Sequence, residues 1–148
     1  MPGRDAPDFS ATDIAGKPVK LSELRGQYVV LEWTNHLCPF VKKHYGSGNM
    51  QALQKKYAAQ GVVWLSIISS APGKEGYVTD EEAAQIAKDK GSMASRIIRD
   101  ADGTIGHLYG AKATPHMFID GQPHHPRCRR HDWPSLRSQG HAAYVHYR

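Results

Sequence analysis

A chain of 148 residues with 40% hydrophobic and 22% charged residues has the composition of a single globular domain, not of a disordered or fibrous chain. No apolar run approaches the roughly 20 residues that cross a bilayer. Met1-Pro2-Gly3-Arg4-Asp5 holds no apolar signal-peptide core, so a cytoplasmic protein is expected, or a periplasmic one if an upstream leader has been removed. The formal net charge of +5 is unevenly spread: residues 1–120 carry 14 Lys+Arg against 13 Asp+Glu, whereas residues 121–148 carry five Arg against Asp132 and hold five of the nine histidines. The composition therefore divides the chain into a neutral body, 1–120, and a basic tail, 121–148.

In chain order, Asp8 to Asp13 reads as a short strand, Ala15-Gly16-Lys17 as a turn, and Val19-Lys20-Leu21 as a second short strand. Ser22 is placed to cap a helical turn that ends near Gly26. Tyr28 to Trp33 is a continuous apolar run of the kind found at the centre of a covered sheet, broken by the carboxylate of Glu32. After Cys38 the spacing becomes helical, with Pro39 suited to the first helical position. Gly46-Ser47-Gly48 interrupts it, and Met50, Leu53 and Tyr57 resume it as far as Gly61. Val62 to Ile68 is the next buried strand. Thr79-Asp80-Glu81-Glu82 forms a capping box for a helix that should stop at Gly91. Ile97 to Asp100 reads as a strand, Asp102-Gly103 as a turn, Ile105 to Tyr109 as a short helix, and His116 to Ile119 as a last strand. Strands alternating with helices imply an α/β domain with a mainly parallel central sheet covered on both faces. Beyond Gly121 neither hydrophobic period continues, apart from weak helical spacing at Ala142, Ala143 and Val145. The tail is read as irregular.

Two cysteines are too few for a disulfide scaffold and point instead to chemistry. Cys38 stands where a buried strand gives way to a helix. A thiolate there faces unpaired backbone N–H groups and the positive end of the helix dipole, which lower its pKa below the free value of about 8.5. Lys42 and Lys43 follow within two turns and are expected to act in the same direction, as thiolate-stabilising charges. Trp33, Trp64 and Phe118 lie on strands and read as core.

Gly3-x-x-Ala6-Pro7-Asp8-Phe9, then Gly16-Lys17-x-Val19-x-Leu21-Ser22-x-Leu24-x-Gly26, then the strand into Trp33 resembles the redoxin family. That is the alkyl hydroperoxide reductase/thiol-specific antioxidant branch of the thioredoxin superfamily. Cys38-Pro39-Phe40-Val41-Lys42-Lys43-His44-Tyr45 is similar to a peroxiredoxin-like subgroup within it. The resemblance implies a thioredoxin-like fold and a redox-active Cys38. It implies that Thr114-Pro115 is the superfamily's cis-proline, shaping the groove beside the thiol, with Thr114 and His116 as substrate-side contacts. It gives Glu32, six residues before Cys38, the place of the buried acid that relays a proton in thioredoxins. Two positions depart from the pattern. Val41 stands where thioredoxins carry a second cysteine. Asn35, a further substrate-side position, stands where peroxiredoxins carry Thr or Ser, and no counterpart of their catalytic Arg can be placed.

The expected function is accordingly thiol-dependent oxidoreduction without a cofactor. The Cys38 thiolate attacks a peroxide or a disulfide, and an external thiol of thioredoxin or glutathione type resolves the product. The alternatives are a non-catalytic binding module and a copper or zinc carrier. His36, Cys38 and His44, or His124, His125, Cys128 and His131, supply suitable donors for a metal but no zinc spacing. The tail arginines lack the stacking residues of a nucleic-acid site, so no nucleic-acid or membrane partner is expected. The family's usual closing hairpin and helix should be incomplete, because Pro123 and Pro126 deny hydrogen bonds to a strand after Gly121. A slip of the coding frame near residue 121, partly recovered near residue 132, would account for this. The expected consequence is an uncovered sheet edge and self-association.

Overall fold

A computed structural model describes residues 6–121 and 143–147. Two short strands, β1 (Ser10–Thr12) and β2 (Pro18–Lys20), pair antiparallel and lead into a 3₁₀ turn, Leu21–Leu24. The central sheet contains β3 (Val29–Trp33), β4 (Val63–Ile68), β5 (Arg96–Arg99), β6 (His116–Gly121) and β7 (Ala143–Tyr147), in the spatial order β5-β4-β3-β6-β7. Three of its four pairings are parallel. The exception is β3 with β6, which is antiparallel. The helices are α1 (Pro39–Gly46), α2 (Asn49–Ala58), α3 (Asp80–Asp89) and α4 (Thr104–Tyr109).

All five residues of β3 are buried, because the strand is covered on both faces. Leu31 and Trp33 join Phe9, Leu65, Ile67, Ile98, Ile105 and Phe118 on one side, where the N-terminal segment and α4 lie. Val30 joins Trp64, Met117 and Ile119 on the other, under Val41 and Tyr45 of α1 and Met50, Leu53 and Tyr57 of α2. This two-sided burial explains why the run reads as continuously apolar and not as alternating.

Local chemistry fixes the helix ends. Thr79 Oγ1 accepts a hydrogen bond from the Glu82 N–H at 3.2 Å, and the Glu82 carboxylate accepts one from the Thr79 N–H at 2.8 Å, the capping box read in the sequence. Buried Asp100 does the same work for α4 from outside it. Its carboxylate accepts from the Ile105 and Gly106 N–H groups at 3.0 and 2.8 Å and from the Ser69 hydroxyl at 2.5 Å. Ser69 in turn accepts from the Trp33 indole at 3.0 Å, so α4 is tied to the end of the central strand.

Three expectations are corrected. Ser22 lies inside the 3₁₀ turn and caps nothing with its side chain; its N–H donates to the Asp8 carboxylate at 2.8 Å. Ala143 and Val145 belong to a strand, not a helix. The sheet edge beside β6 is occupied by β7, which runs parallel to β6, so the tail is not irregular throughout and that edge is not vacant. The proposed frame slip falls on residues outside those described.

Replacing Asp100 with Ala should cost about 2–4 kcal/mol, since it strands two buried N–H donors and the Ser69 hydroxyl. Thr79→Ala removes one exposed cap and should cost about 1 kcal/mol. Urea denaturation of the two variants tests the ranking; a larger loss for Thr79→Ala would show that Asp100 does not anchor α4.

Candidate functional site

The site begins where β3 runs out of sheet. The ladder continues one step past the strand, with the Thr34 N–H donating to the Ile67 carbonyl at 2.9 Å. The chain then turns sharply on Asn35. The Asn35 side-chain oxygen accepts from the Leu37 N–H at 2.9 Å, and its carbonyl accepts from the Cys38 N–H at 3.0 Å. Gly76 makes room for this turn. Its φ is +84°, and a Cβ there would stand 2.5 Å from the Asn35 side-chain oxygen. Asn35 is thus a positioning residue that shapes the loop carrying Cys38.

Cys38 is the N-cap of α1 and Pro39 its first residue. The thiol is partly buried, and its sulfur lies 3.1 Å from the Thr114 carbonyl, to which the S–H donates. The Thr114–Pro115 peptide is cis. Leu37 and Phe40 flank the thiol with 40% and 66% of their surface exposed, an unusual degree for such side chains.

Burial of Cys38 pushes its pKa up, but hydrogen bonding from Thr114 and from the Val41 and Phe40 N–H groups outweighs it, and the net shift is downward. The thiol's bond to the Thr114 carbonyl favours the neutral form. The lowering therefore belongs to donors that only a thiolate can use: the Thr114 hydroxyl and the first-turn N–H groups. The nearby charge that registers is Glu75, and it acts in the opposite direction. Lys42 and Lys43 are exposed and are not among the leading influences. Their expected role passes to the backbone of α1.

Glu32 is completely buried, on the sheet face covered by α1 and α2. Its carboxyl accepts from the Trp64 indole at 2.7 Å, the Tyr45 hydroxyl at 2.9 and 3.1 Å, the Ser66 hydroxyl at 3.1 Å and the Gln54 amide at 3.4 Å. Burial raises its pKa despite these four donors. Cys38 is not among its direct hydrogen-bond partners, but it packs against the same cluster, which holds Tyr45 and Trp64. His116 departs from expectation. It is buried, and its ring lies 4.5 Å from that of Phe118, on the opposite side of the sheet from the cluster against which Cys38 packs. Burial lowers its pKa.

A family model for the AhpC/TSA family matches residues 2–125. The chain belongs to the AhpC/TSA family. This family member is similar to an uncharacterized conserved protein from Geobacillus kaustophilus, at 24% identity over 80% of this chain and 62% of that one, with a TM-score of 0.71. A hypothetical protein from Sinorhizobium meliloti gives 25% identity over 80% and 64%, with a TM-score of 0.68. A putative thiol:disulfide interchange protein DsbE from Chlorobium tepidum gives 26% over 80% and 77%, with a TM-score of 0.62. The chain thus spans less than two thirds of the first two. No curated protein matches. The thioredoxin-like α/β fold read in the sequence is the fold these structures share.

Among the described residues of this AhpC/TSA member, no three His, Cys, Asp or Glu side chains gather into a group that could hold a metal. His124, His125, Cys128 and His131 lie outside those residues. No described helix is long and apolar enough to cross a membrane.

Two measurements test the electrostatics. Alkylation of Cys38 by iodoacetamide against pH should give a midpoint below the free-thiol value of about 8.5. Replacing Lys42 and Lys43 together with Gln should leave that midpoint nearly in place. A large upward move would return the role to the lysines. For Glu32 the folded-state pKa is raised above the ordinary 4.5, so the native state binds the proton more tightly than the unfolded chain does. Its contribution to stability is complete below pH 4.5 and is lost as pH rises through the folded value. Urea titrations of wild type and Glu32→Gln across this range should show a downward slope with pH that the variant lacks; parallel profiles would mean the carboxyl ionises normally.

Proposed function

We propose that this protein is a single-cysteine thiol oxidoreductase whose Cys38 thiolate attacks a disulfide, with an external thiol completing the cycle. The observation that carries the reading is the placement of a partly accessible sulfur at the N-terminus of α1, against Thr114 and its cis-proline. The backbone there favours the attacking form of the sulfur, and the exposed Leu37 and Phe40 offer an apolar landing for a partner carrying a disulfide.

In the first step the Cys38 thiolate attacks one sulfur of the substrate, the S–S bond breaks, and the other sulfur leaves as a thiolate that takes a proton from water. In the second an external thiolate attacks the mixed disulfide, expelling Cys38 as thiolate and leaving in a new disulfide with the retained half of the substrate. Cys38 is the nucleophile, Thr114 and Pro115 wall the groove, and Asn35 holds the loop. No step calls for a cofactor.

Membership of the AhpC/TSA family favours a second reading, attack on a peroxide. There the O–O bond breaks, Cys38 becomes a sulfenic acid, the alcohol or water leaves after protonation, and an external thiol condenses with loss of water. Among the described residues, Arg96 pairs with Asp13 at 2.9 Å and Arg99 pairs with Asp80, so neither is available to polarise a peroxide beside Cys38. Those two ion pairs favour the disulfide reading.

Incubating the reduced protein with oxidised glutathione should yield a mixed disulfide at Cys38, seen by intact mass and absent from Cys38→Ser. Hydrogen peroxide followed by dimedone should label Cys38 more slowly than the disulfide reacts. Faster dimedone labelling would reverse the order of the readings, and no reaction with either reagent would sink both.

A further inference from the structure

Beside the thiol loop, between the C-terminal ends of β3 and β4 and the helix α3, lies a cleft of about 40 Å³, partly open to solvent and adjoining a groove of about 240 Å³. The cleft's apolar walls include Ile68, Val78, Ile86 and Ile97, and its polar walls include His36 and Lys90. The adjoining groove shares His36, Val78 and Ile86 with it, so the two are continuous along the face of α3. His36 sits on the same loop as Cys38, two positions before it.

Lys90 is the unusual member. It follows the last residue of α3, and its half-buried ammonium lies 5.4 Å above the centre of the Tyr45 ring and 3.5 Å from the His36 carbonyl. It makes no ion pair: the pairs among the described residues are Arg96 with Asp13 and Arg99 with Asp80. A half-buried ammonium with no carboxylate against it is costly, and its own burial, followed by the charge of Lys42, lowers its pKa. Two acids lie nearby and neither serves it directly. Glu32 acts on it favourably, but from within a saturated hydrogen-bond network in which burial favours the neutral form. Glu82 lines the adjoining groove, and its carboxylate is engaged by the Thr79 N–H. The cleft therefore presents a cation seeking an anion next to an aliphatic wall.

We infer that this cleft is a subsite for a small molecule with a short branched aliphatic body and a carboxylate, the carboxylate pairing with Lys90 and the body lying on Ile68, Val78 and Ile86. Resting on the function proposed above, the substrate class becomes a low-molecular-weight disulfide or thiol that carries a carboxylate. Lys90, the anchor for the acid end, lies against the loop that carries Cys38. His36, whose pKa is lowered by burial and then by Lys90 and Lys42, serves the carboxylate as a neutral hydrogen-bond donor.

The test uses probes without sulfur, so a dead thiol leaves it untouched. Isovalerate is titrated into the full-length protein, and the methyl resonances of Ile68, Val78 and Ile86 are followed by NMR. Saturable shifts confined to this cleft are expected, with isoamyl alcohol, the neutral analogue, binding about tenfold more weakly. Lys90→Gln should erase that preference while keeping an otherwise unchanged spectrum, and Lys90→Arg should retain it. The inference is overturned if isovalerate gives no saturable shift at these methyls, if the alcohol binds equally well, or if Lys90→Gln binds isovalerate as wild type does. A positive titration combined with no reaction at Cys38 would uphold the subsite and remove the redox reading.

Discussion

The rest of the structure hangs on a carboxyl group placed where no solvent reaches it. Glu32 sits in the middle of a strand buried on both faces, and its oxygens gather donors from three other elements: Tyr45 of α1, Gln54 of α2, and Trp64 and Ser66 of β4. A buried carboxyl is tolerable only when its lone pairs are used. Satisfying this one requires α1 and α2 to lie at fixed positions over the sheet. Gln54 extends the lock by accepting from the Met93 N–H at 2.8 Å and donating to the Tyr45 hydroxyl at 3.0 Å. Because α1 also carries Cys38 at its start, the orientation of the thiol is inherited from this polar knot.

That arrangement explains what the sequence could and could not reveal. The strands 29–33 and 63–68, the capping box at Thr79 and the helix start at Pro39 follow from patterns whose causes are local, and they stand as read. The position of Cys38 was legible for the same reason. The assignments that failed each needed to know which way a side chain faces in three dimensions. Strand alternation sends His116 and Phe118 to one face and Met117 to the other, but the sequence alone does not say which face the thiol packs against. Glu32 could be recognised as dissonant, yet its donors come from residues 13 to 34 positions away. Lys42 and Lys43 are near Cys38 along the chain, but both side chains are exposed, and solvent screens their charge from the thiol.

Lys90 and Gly76 carried no motif at all. Lys90 reads as an ordinary basic residue in the last turn of a helix, where the dipole favours it. Only the fold folds its ammonium back over Tyr45 and toward the loop that holds His36. Gly76 reads as one of several loop glycines, and its particular use, admitting the Asn35 side chain, depends on a loop and a strand end that are distant in sequence. β7 was hidden for a different reason. The residues preceding it have no strand period and contain Pro123 and Pro126, so the edge partner of β6 comes from further along the chain, in a parallel sense that no tight hairpin could give.

The position three residues after Cys38 shows why the first turn of α1 supplies no second thiol to the proposed chemistry. Val41 is fully buried, packing with Tyr45, Met50 and Met117 beneath the sheet, while its N–H is one of the first-turn donors that favour the Cys38 thiolate. One residue thus serves the core with its side chain and the nucleophile with its backbone, and neither service leaves a resolving group. Among the described residues Cys38 is the one cysteine, and in the proposed cycle a mixed disulfide there waits for an incoming thiol. Release is then governed by access to the bonded sulfur and by the thiolate fraction of the incoming thiol. The open flanks at Leu37 and Phe40 supply that access. Thus the lowered pKa of Cys38 has two consequences. It raises the fraction of attacking thiolate in the first step, and it makes Cys38 the better leaving group in the second, so a single cysteine at a helix N-terminus can serve both halves of an exchange that thioredoxins divide between two.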